Sequence, residues 1–339
     1  MVRSVFVVCI AALFWFMPTT AVGSYLWSAA PFLLIHPGAR QVAMGGAACG
    51  LADDALATHY NPAGLAFQRC LDVRLGFALS VRGLYPDRYE GYGSAAVPVT
   101  ARLTLAPAVT YVTAGEFHEV DPYGTTMRKW RADDYAVGIY CGLPICDAIG
   151  IGGGVKFVRT ELPGTCLFDP PHGYYGAEGK SVAFDIGVLA YYPPSSHAGR
   201  VGVGIALQNL GPSTRYSGID LSDPLARSLR IGVSLTSSVG QRNRLCMAAD
   251  MLGPLVDVHS LGDMFRESWR SAGIEFVILE ALALRFGLFN DPVLHQHGVT
   301  WGAGLHIKSL RLDVANDSNR YEFKVDSWKF ALGLDKGNR

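Results

Sequence analysis

Charge is scarce in this chain. Asp, Glu, Lys and Arg make up only 17% of its 339 residues, below the roughly 25% usual for soluble domains. Acids and bases balance at 29 each, so the basic surplus that phosphate contacts with nucleic acid require is missing. Long apolar runs are scarce as well. Beyond the amino terminus no 18 consecutive residues are apolar and uncharged, which argues against a membrane-spanning helix. Local catalytic spacings are lacking too: there is no HExxH and no GxSxG, and Gly150-Ile-Gly-Gly-Gly154 matches neither phosphate-loop pattern. No metal, no cofactor and no enzymatic activity are expected.

What is present begins with an export signal. Arg3 supplies the positive end, Val5 to Met17 is an apolar run, and Ala21-Val22-Gly23 offers small residues for cleavage before Ser24. The run is too short for an anchor of ~20 residues, so residues 1–23 are read as a cleaved signal. Of seven Cys, Cys9 lies in that signal. The other six permit disulfides in an exported protein, with fifteen pairings open, and Cys141 and Cys146 are near enough in sequence to close a tight turn.

From Leu71 onward apolar residues return at every second position. Leu71, Val73, Leu75, Phe77 and Leu79 alternate with Asp72, Arg74, Gly76, Ala78 and Ser80, the period of a strand with two environments. Twelve later runs repeat the pattern, from Leu103–Tyr111 to Trp328–Leu334, and Arg88 to Val99 adds one more. The expectation is an all-β protein of about fourteen strands over residues 71–339.

The interleaved face is mostly Gly, Ala, Ser and Thr. Scattered through it are Arg74, Arg102, Lys156, Asp185, Gln208, Asp250, Glu275, Arg285, His306, Arg311, Asp313 and Lys329. A soluble sandwich or propeller would show more charge than this, whereas a membrane barrel turns its apolar face to lipid and its small and polar face to a lumen. Unpaired backbone groups are costly in hydrocarbon, so the sheet must close into a transmembrane antiparallel barrel. Aromatics near strand ends, Tyr191, Tyr192, Trp301 and Trp328, fit the interfacial girdles.

Fourteen strands enclose space that something must fill. Residues 24–70 lack strand alternation and are rich in Ala and Gly. Asn61 can cap a helical turn with Pro62 at its first position, while Gly45, Gly46 and Gly64 allow bends and close approaches. A compact N-terminal hatch in the lumen is expected.

Pro37-Gly-Ala-Arg-Gln-Val-Ala-Met-Gly-Gly-Ala47 and Ala52-Asp-Asp-Ala-Leu-Ala-Thr-His-Tyr-Asn-Pro-Ala-Gly-Leu-Ala66, with the strands that follow, resemble the PorV/PorQ-type outer-membrane proteins, which are related to the FadL-type transporters of long-chain fatty acids. The resemblance implies a fourteen-stranded barrel plugged by a hatch that carries Asn61, Pro62 and Ala63, with Gly64, Arg40 and Met44 in the same motifs. It further implies passive uptake of a hydrophobic small molecule, most simply a long-chain fatty acid, in the outer membrane of a diderm bacterium. Outer-membrane lipid and the barrel-assembly machinery are the implied partners. The PorV-like relatives imply an alternative, a non-transporting scaffold or shuttle in protein secretion, for which the Tyr-rich stretch Phe168 to Ala177 is the expected contact loop.

Two further expectations come from single residues. Pro107 falls inside the third strand, where it removes a ladder donor and can open a side gap. Asp53, Asp54 and His59 can pair with lumen cations and hold the hatch, although helix capping by the acids is an equal use. The chain ends on Asn338-Arg339 rather than on an aromatic residue, so the closing strand is expected to stop near Leu334.

Overall fold

The computed structural model describes residues 28–79, 88–120, 126–162, 168–169, 173–174, 177–193, 199–217, 220–317 and 327–336. The expected export signal and Cys166 lie outside them.

Alternation of branched and aromatic side chains with small ones gives every expected run a strand. Fourteen wall strands follow one another: β1 (Asp72–Leu79), β2 (Tyr89–Pro98), β3 (Thr104–Val120), β4 (Thr126–Pro144), β5 (Ile149–Leu162), β6 (Ala177–Tyr192), β7 (Gly199–Leu210), β8 (Ser228–Val239), β9 (Asn243–Pro254), β10 (Trp269–Ile278), β11 (Leu282–Asp291), β12 (Gln296–Ile307), β13 (Leu310–Asn316) and β14 (Trp328–Asp335). Each pairs antiparallel with the next, and β1 pairs β14 from Asp72↔Asp335 to Leu79↔Trp328, which closes the barrel. The last strand reaches Asp335, as the alternation up to Leu334 foretells.

The two ends of the barrel differ. Connections at the end where β1 begins are short, such as 240–242, 279–281 and 308–309, whereas those at the other end are long, such as 211–227 and 255–268. This asymmetry is that of outer-membrane barrels, with short periplasmic turns and long external loops. A short helix, α3 (Leu261–Glu267), lies in one long loop and sets Met264 beside Gly253 of β9.

Large apolar side chains point outward: Leu75 is 51% exposed, Ile139 52% and Phe184 51%. Such a belt belongs in hydrocarbon rather than in water. Most of the ionisable residues assigned to the lumen are buried there, including Arg74, Lys156, Asp185, Asp250, Glu275, Arg285, Asp313 and Lys329. Two placements differ from expectation. Arg102 is exposed in the turn between β2 and β3, because the strand ladder ends at Pro98 and resumes at Thr104. Tyr191 points inward rather than to a girdle, its hydroxyl donating to the Leu51 carbonyl. Trp301 and Trp328 do meet edge to face, 5.4 Å between centroids.

The Cys141–Cys146 bridge that the spacing allows is not formed, and both thiols are free. Cys141 is held in the β4 ladder opposite Leu105 and Gly153, while Cys146 sits exposed in the turn closed by Ile149, so the strand fixes one sulfur away from the other.

The N-terminal segment packs against the inner wall. It contains a 3-10 turn (Pro31–Leu34), α1 (Ala39–Ala43), α2 (Ala57–Tyr60) and a second 3-10 turn (Pro62–Phe67). Helix α1 touches β11 to β14, whereas the second turn touches β3 to β6 on the other side of the ring. Ala and Gly make this possible, because backbone can approach backbone only where side chains are small.

Candidate functional site

The wall meets the segment through glycines. A Cβ on Gly152 would lie 2.2 Å from the Pro62 carbonyl oxygen, one on Gly204 2.3 Å from that of Cys49, and one on Gly287 2.2 Å from the Gly45 nitrogen. Gly150 and Gly152 of the Gly-rich run thus serve close packing. Within the segment, Gly45 (φ +74°) and Gly46 (φ +93°) make the bend after α1, and a Cβ on Gly64 would sit 2.1 Å from the Ala52 oxygen.

Wall side chains satisfy the segment's backbone. Asp250 accepts from the amides of Ala48 (2.8 Å) and Cys49 (2.7 Å). Thr300 accepts from Gly45 and donates to the Ala43 carbonyl. Ser234 donates to Gly50 at 2.6 Å, Ser94 to Ala55 at 2.9 Å and Lys329 to His36 at 3.1 Å. Sequence reading placed Asp250 and Lys329 in the lumen but missed Ser234, Ser94 and Thr300, since an isolated hydroxyl on a small-residue face carries no periodic signal.

Asn61, fully buried, caps the second turn by accepting from the Ala63 amide at 3.1 Å. Its Nδ2 donates to Val188 of β6 (3.0 Å) and to Cys49 (3.2 Å), so one side chain joins the turn, the bend and the wall. Pro62 occupies the first position of that turn, and Ala63 and Gly64 are buried within it.

Ala63 and Leu65 share a packed cluster with Ala96 of β2 and Ala106 of β3. Here the ladder between these strands breaks: Ser94 pairs Ala108 and Val97 pairs Leu105, with no pairing between. Pro107 occupies the interval and lacks the N–H that would fill it. The Asn-Pro-Ala turn and Pro107 are thereby brought to the same part of the wall.

Arg40 and Met44 lie across the lumen. Arg40 is bidentate with Glu275 of β10 at 2.9 Å through both Nε and Nη2, and contacts Asp53 at 2.5 Å. Glu275 also accepts from Arg285 at 2.7 Å, and Arg285 donates to Asp313 at 2.6 Å. Burial alone would raise the Asp53 carboxyl, but the Arg40 charge and hydrogen bonds overcome it and bring the pKa down to about 2. Asp54 instead accepts from Gln41 at 2.8 Å and is held above the usual carboxylate range, burial outweighing Arg74 and Arg40. Met44 is buried against Gly273.

His59 has no acidic partner among the described residues. Burial, then Arg230, Lys156 and Lys329, push its pKa well below the usual histidine value, so it is neutral. Its Nε2 is buried without a hydrogen-bond partner, and its ring meets Tyr60 edge to face at 4.8 Å.

At the long-loop end lies a cavity of about 320 Å³, within the size range of small-molecule sites. Pro31, Leu34, Ile35, Leu252, Pro254, Trp269 and Leu294 supply its apolar lining. A small cavity of about 30 Å³ adjoins Phe32, Leu33, His59 and wall residues Ala108 and Gly138, so the first 3-10 turn stands between the two spaces. Ala29 clips the start of the segment to the long loop by donating to the Pro224 carbonyl at 2.8 Å. The Tyr-rich loop falls mostly outside the described residues, which retain only Phe168–Asp169 paired with Gly173–Tyr174. No group of described residues has the make-up of a metal site.

A comparison with curated proteins finds no match. Among solved structures, the Ralstonia pickettii toluene transporter TbuX superimposes with a TM-score of 0.56 at 13% identity, covering 89% of this chain and 98% of its own. The P. putida toluene transporter TodX gives 0.52 at 12% identity, covering 88% and 96%. A Pseudomonas aeruginosa FadL homologue gives 0.49 at 13%, covering 89% and 98%. At these identities the likeness to TbuX and TodX is one of fold alone. A family model described as type IX secretion system protein PorV matches residues 21–259, and the chain belongs to that family.

Proposed function

We propose that the protein is an outer-membrane channel for the passive uptake of hydrophobic solutes, long-chain fatty acids foremost, with residues 24–70 as the hatch and 71–339 as the barrel. One observation carries the reading: a mostly apolar cavity of about 320 Å³ opens at the long-loop end, against the first turn of the N-terminal segment. A greasy solute would enter there from outside, pass the turn Pro31–Leu34 and leave sideways where the ladder breaks at Pro107. Asn61, Pro62, Ala63 and Gly64 would form the gate behind that break, and Arg40 and Met44 the fixed side of the hatch. The toluene transporters TbuX and TodX are precedents for hydrophobic solutes on this fold. Export by a cleaved signal at 1–23 and insertion by the barrel-assembly machinery belong to the same reading.

Membership of the PorV family favours a second reading, a non-transporting scaffold or shuttle in protein secretion. Reconstitution in liposomes separates the two. A channel takes up labelled fatty acid and other greasy solutes faster than empty vesicles; a scaffold shows neither uptake nor saturable binding of any of them.

A further inference from the structure

Outside the lumen, the lipid-facing sides of β5 and β6 change character at one level. On β5 the outward side chains are apolar from Ile149 to Phe157, Gly153 apart, and on β6 from Val182 to Ala190. Residues 149–157 and 182–190 have the length, about 9–11 residues, with which a tilted strand crosses hydrocarbon. The next outward residue toward the long loops is Arg159 on β5 and Lys180 on β6, and the two stand directly opposite each other. Arg215, in the short strand Thr214–Tyr216, stands opposite Lys180 in turn. Tyr135 of β4 and Tyr111 of β3 continue the same row, as interfacial aromatics do.

Three cations in succession across a sheet repel one another. Glu178 relieves two of them, meeting Arg159 at 2.6 Å and Lys180 at 2.8 Å through one oxygen, and Glu161 meets Arg159 at 2.5 Å. Arg215 is exposed and forms no ion pair among the described residues. The two acids stand opposite each other one row farther from the apolar belt. The outer face of the sheet therefore runs apolar, cationic, anionic from the belt outward. A phospholipid runs the same way with the charges reversed: tail, phosphate and, in ethanolamine or choline lipids, an ammonium group.

We infer that Arg159, Lys180 and Arg215 seat the phosphate of a zwitterionic glycerophospholipid of the outer leaflet, with its acyl chains along Phe157 and Val182 and its ammonium group toward Glu161 and Glu178. The phosphate supplies the counter-charge that Arg215 lacks and offsets the repulsion along the row. The guanidiniums offer it paired N–H groups and Lys180 a point charge. The site lies on the outside of the wall and holds whether the barrel transports solutes or serves secretion.

The test is lipid competition on the purified, detergent-solubilised barrel, read by native mass spectrometry with dioleoyl phosphatidylethanolamine, dioleoyl phosphatidylglycerol and dioleoylglycerol, which share their chains. The ethanolamine lipid is retained about fivefold or more over dioleoylglycerol, since exposed ion pairs are modest singly and sum over three cations. It is retained at least as well as phosphatidylglycerol, although the latter carries the net charge. Lys180→Gln with Arg215→Gln brings it down to the dioleoylglycerol level, while Lys180→Arg with Arg215→Lys preserves it; unchanged dioleoylglycerol retention and unheated gel migration show that both variants are folded barrels. Equal retention of the three lipids, or ethanolamine-lipid retention unmoved by the Gln pair, overturns the site. So does a preference for phosphatidylglycerol or for a diphosphorylated glycolipid, because a surface that merely gathers negative charge has no use for an ammonium group.

Discussion

Arg40 and Glu275 stand 235 residues apart in sequence and meet in a two-pronged ion pair inside the barrel, with both nitrogen–oxygen distances 2.9 Å. The carboxylate is 0% exposed, and Arg285 and Arg244 share it. Removing Arg40 would take one of the three arginines from Glu275 and the ion-pair partner from Asp53, and breaking a buried pair from one side is costly.

The first prediction concerns that pair. Arg40→Gln lowers the local opening free energy of residues 36–60 by about 3–5 kcal/mol, read as faster amide hydrogen exchange in the solubilised barrel. Arg40→Gln with Glu275→Gln costs less than the sum of the two single changes, since the contact the two share is then lost only once. Unchanged exchange in the single variant would show that Arg40 does not hold the segment.

A second prediction tests the glycine contacts. Gly152→Ala places a methyl group 2.2 Å from the Pro62 oxygen, and the neighbour is backbone, which cannot swing away. The second 3-10 turn shifts, and limited proteolysis cuts within 60–70. Gly91→Ala is the control, because nothing lies within 4 Å of its Cβ position, and it leaves the cleavage pattern as it was.

Much of this architecture is legible in the sequence, and for one reason. A strand between lipid and a lumen writes its environment at every second residue, so Leu75 and Phe77 announce the outside as Arg74 and Gly76 announce the inside. The segment 28–70 could be recognised only by the lack of that alternation, and its contacts are set by shape. Gly152 meeting Pro62 depends on strand register across the barrel, which no local spacing encodes. The Cys141–Cys146 spacing left a bridge open because spacing takes no account of the strand that holds Cys141.

A third prediction follows from His59. Its pKa in the folded chain lies below the unfolded value of 6.5, burial being the first cause and Arg230, Lys156 and Lys329 the next. A lowered pKa means that the unfolded or displaced segment binds the proton more readily. The stabilisation is therefore complete above about pH 6.5 and is lost progressively as pH falls below it. Protection factors around 56–62, taken as exchange relative to the intrinsic rate at each pH, should fall between pH 7 and pH 5, and His59→Gln should flatten the histidine part of that slope. An equal slope in the variant would assign it to other groups.

Cys146 yields a simple chemical check. It is exposed in the turn after β4 and unbridged, as is Cys141. A membrane-impermeant maleimide added from the short-turn side should label Cys146 without prior reduction. Mass analysis of the peptide 141–146 should show two free thiols, whereas a mass lower by two hydrogens would restore the bridge.

The break beside Pro107 makes the sharpest claim on function. Between Ser94↔Ala108 and Val97↔Leu105 the wall lacks two pairings, and behind it sit Ala63 and Leu65 of the turn that Asn61 caps. Pro107→Val returns an N–H and a residue suited to strand. If solutes leave through this gap, completing the ladder slows release. One net hydrogen bond of about 0.5–1.5 kcal/mol corresponds to roughly a two- to tenfold fall in liposome uptake of labelled fatty acid. Binding at the outer cavity should be untouched, because Pro107 is not among its lining residues. Uptake that stays constant while exchange of the Ala95 and Ala96 amides slows would mean that the ladder has closed and the exit lies elsewhere.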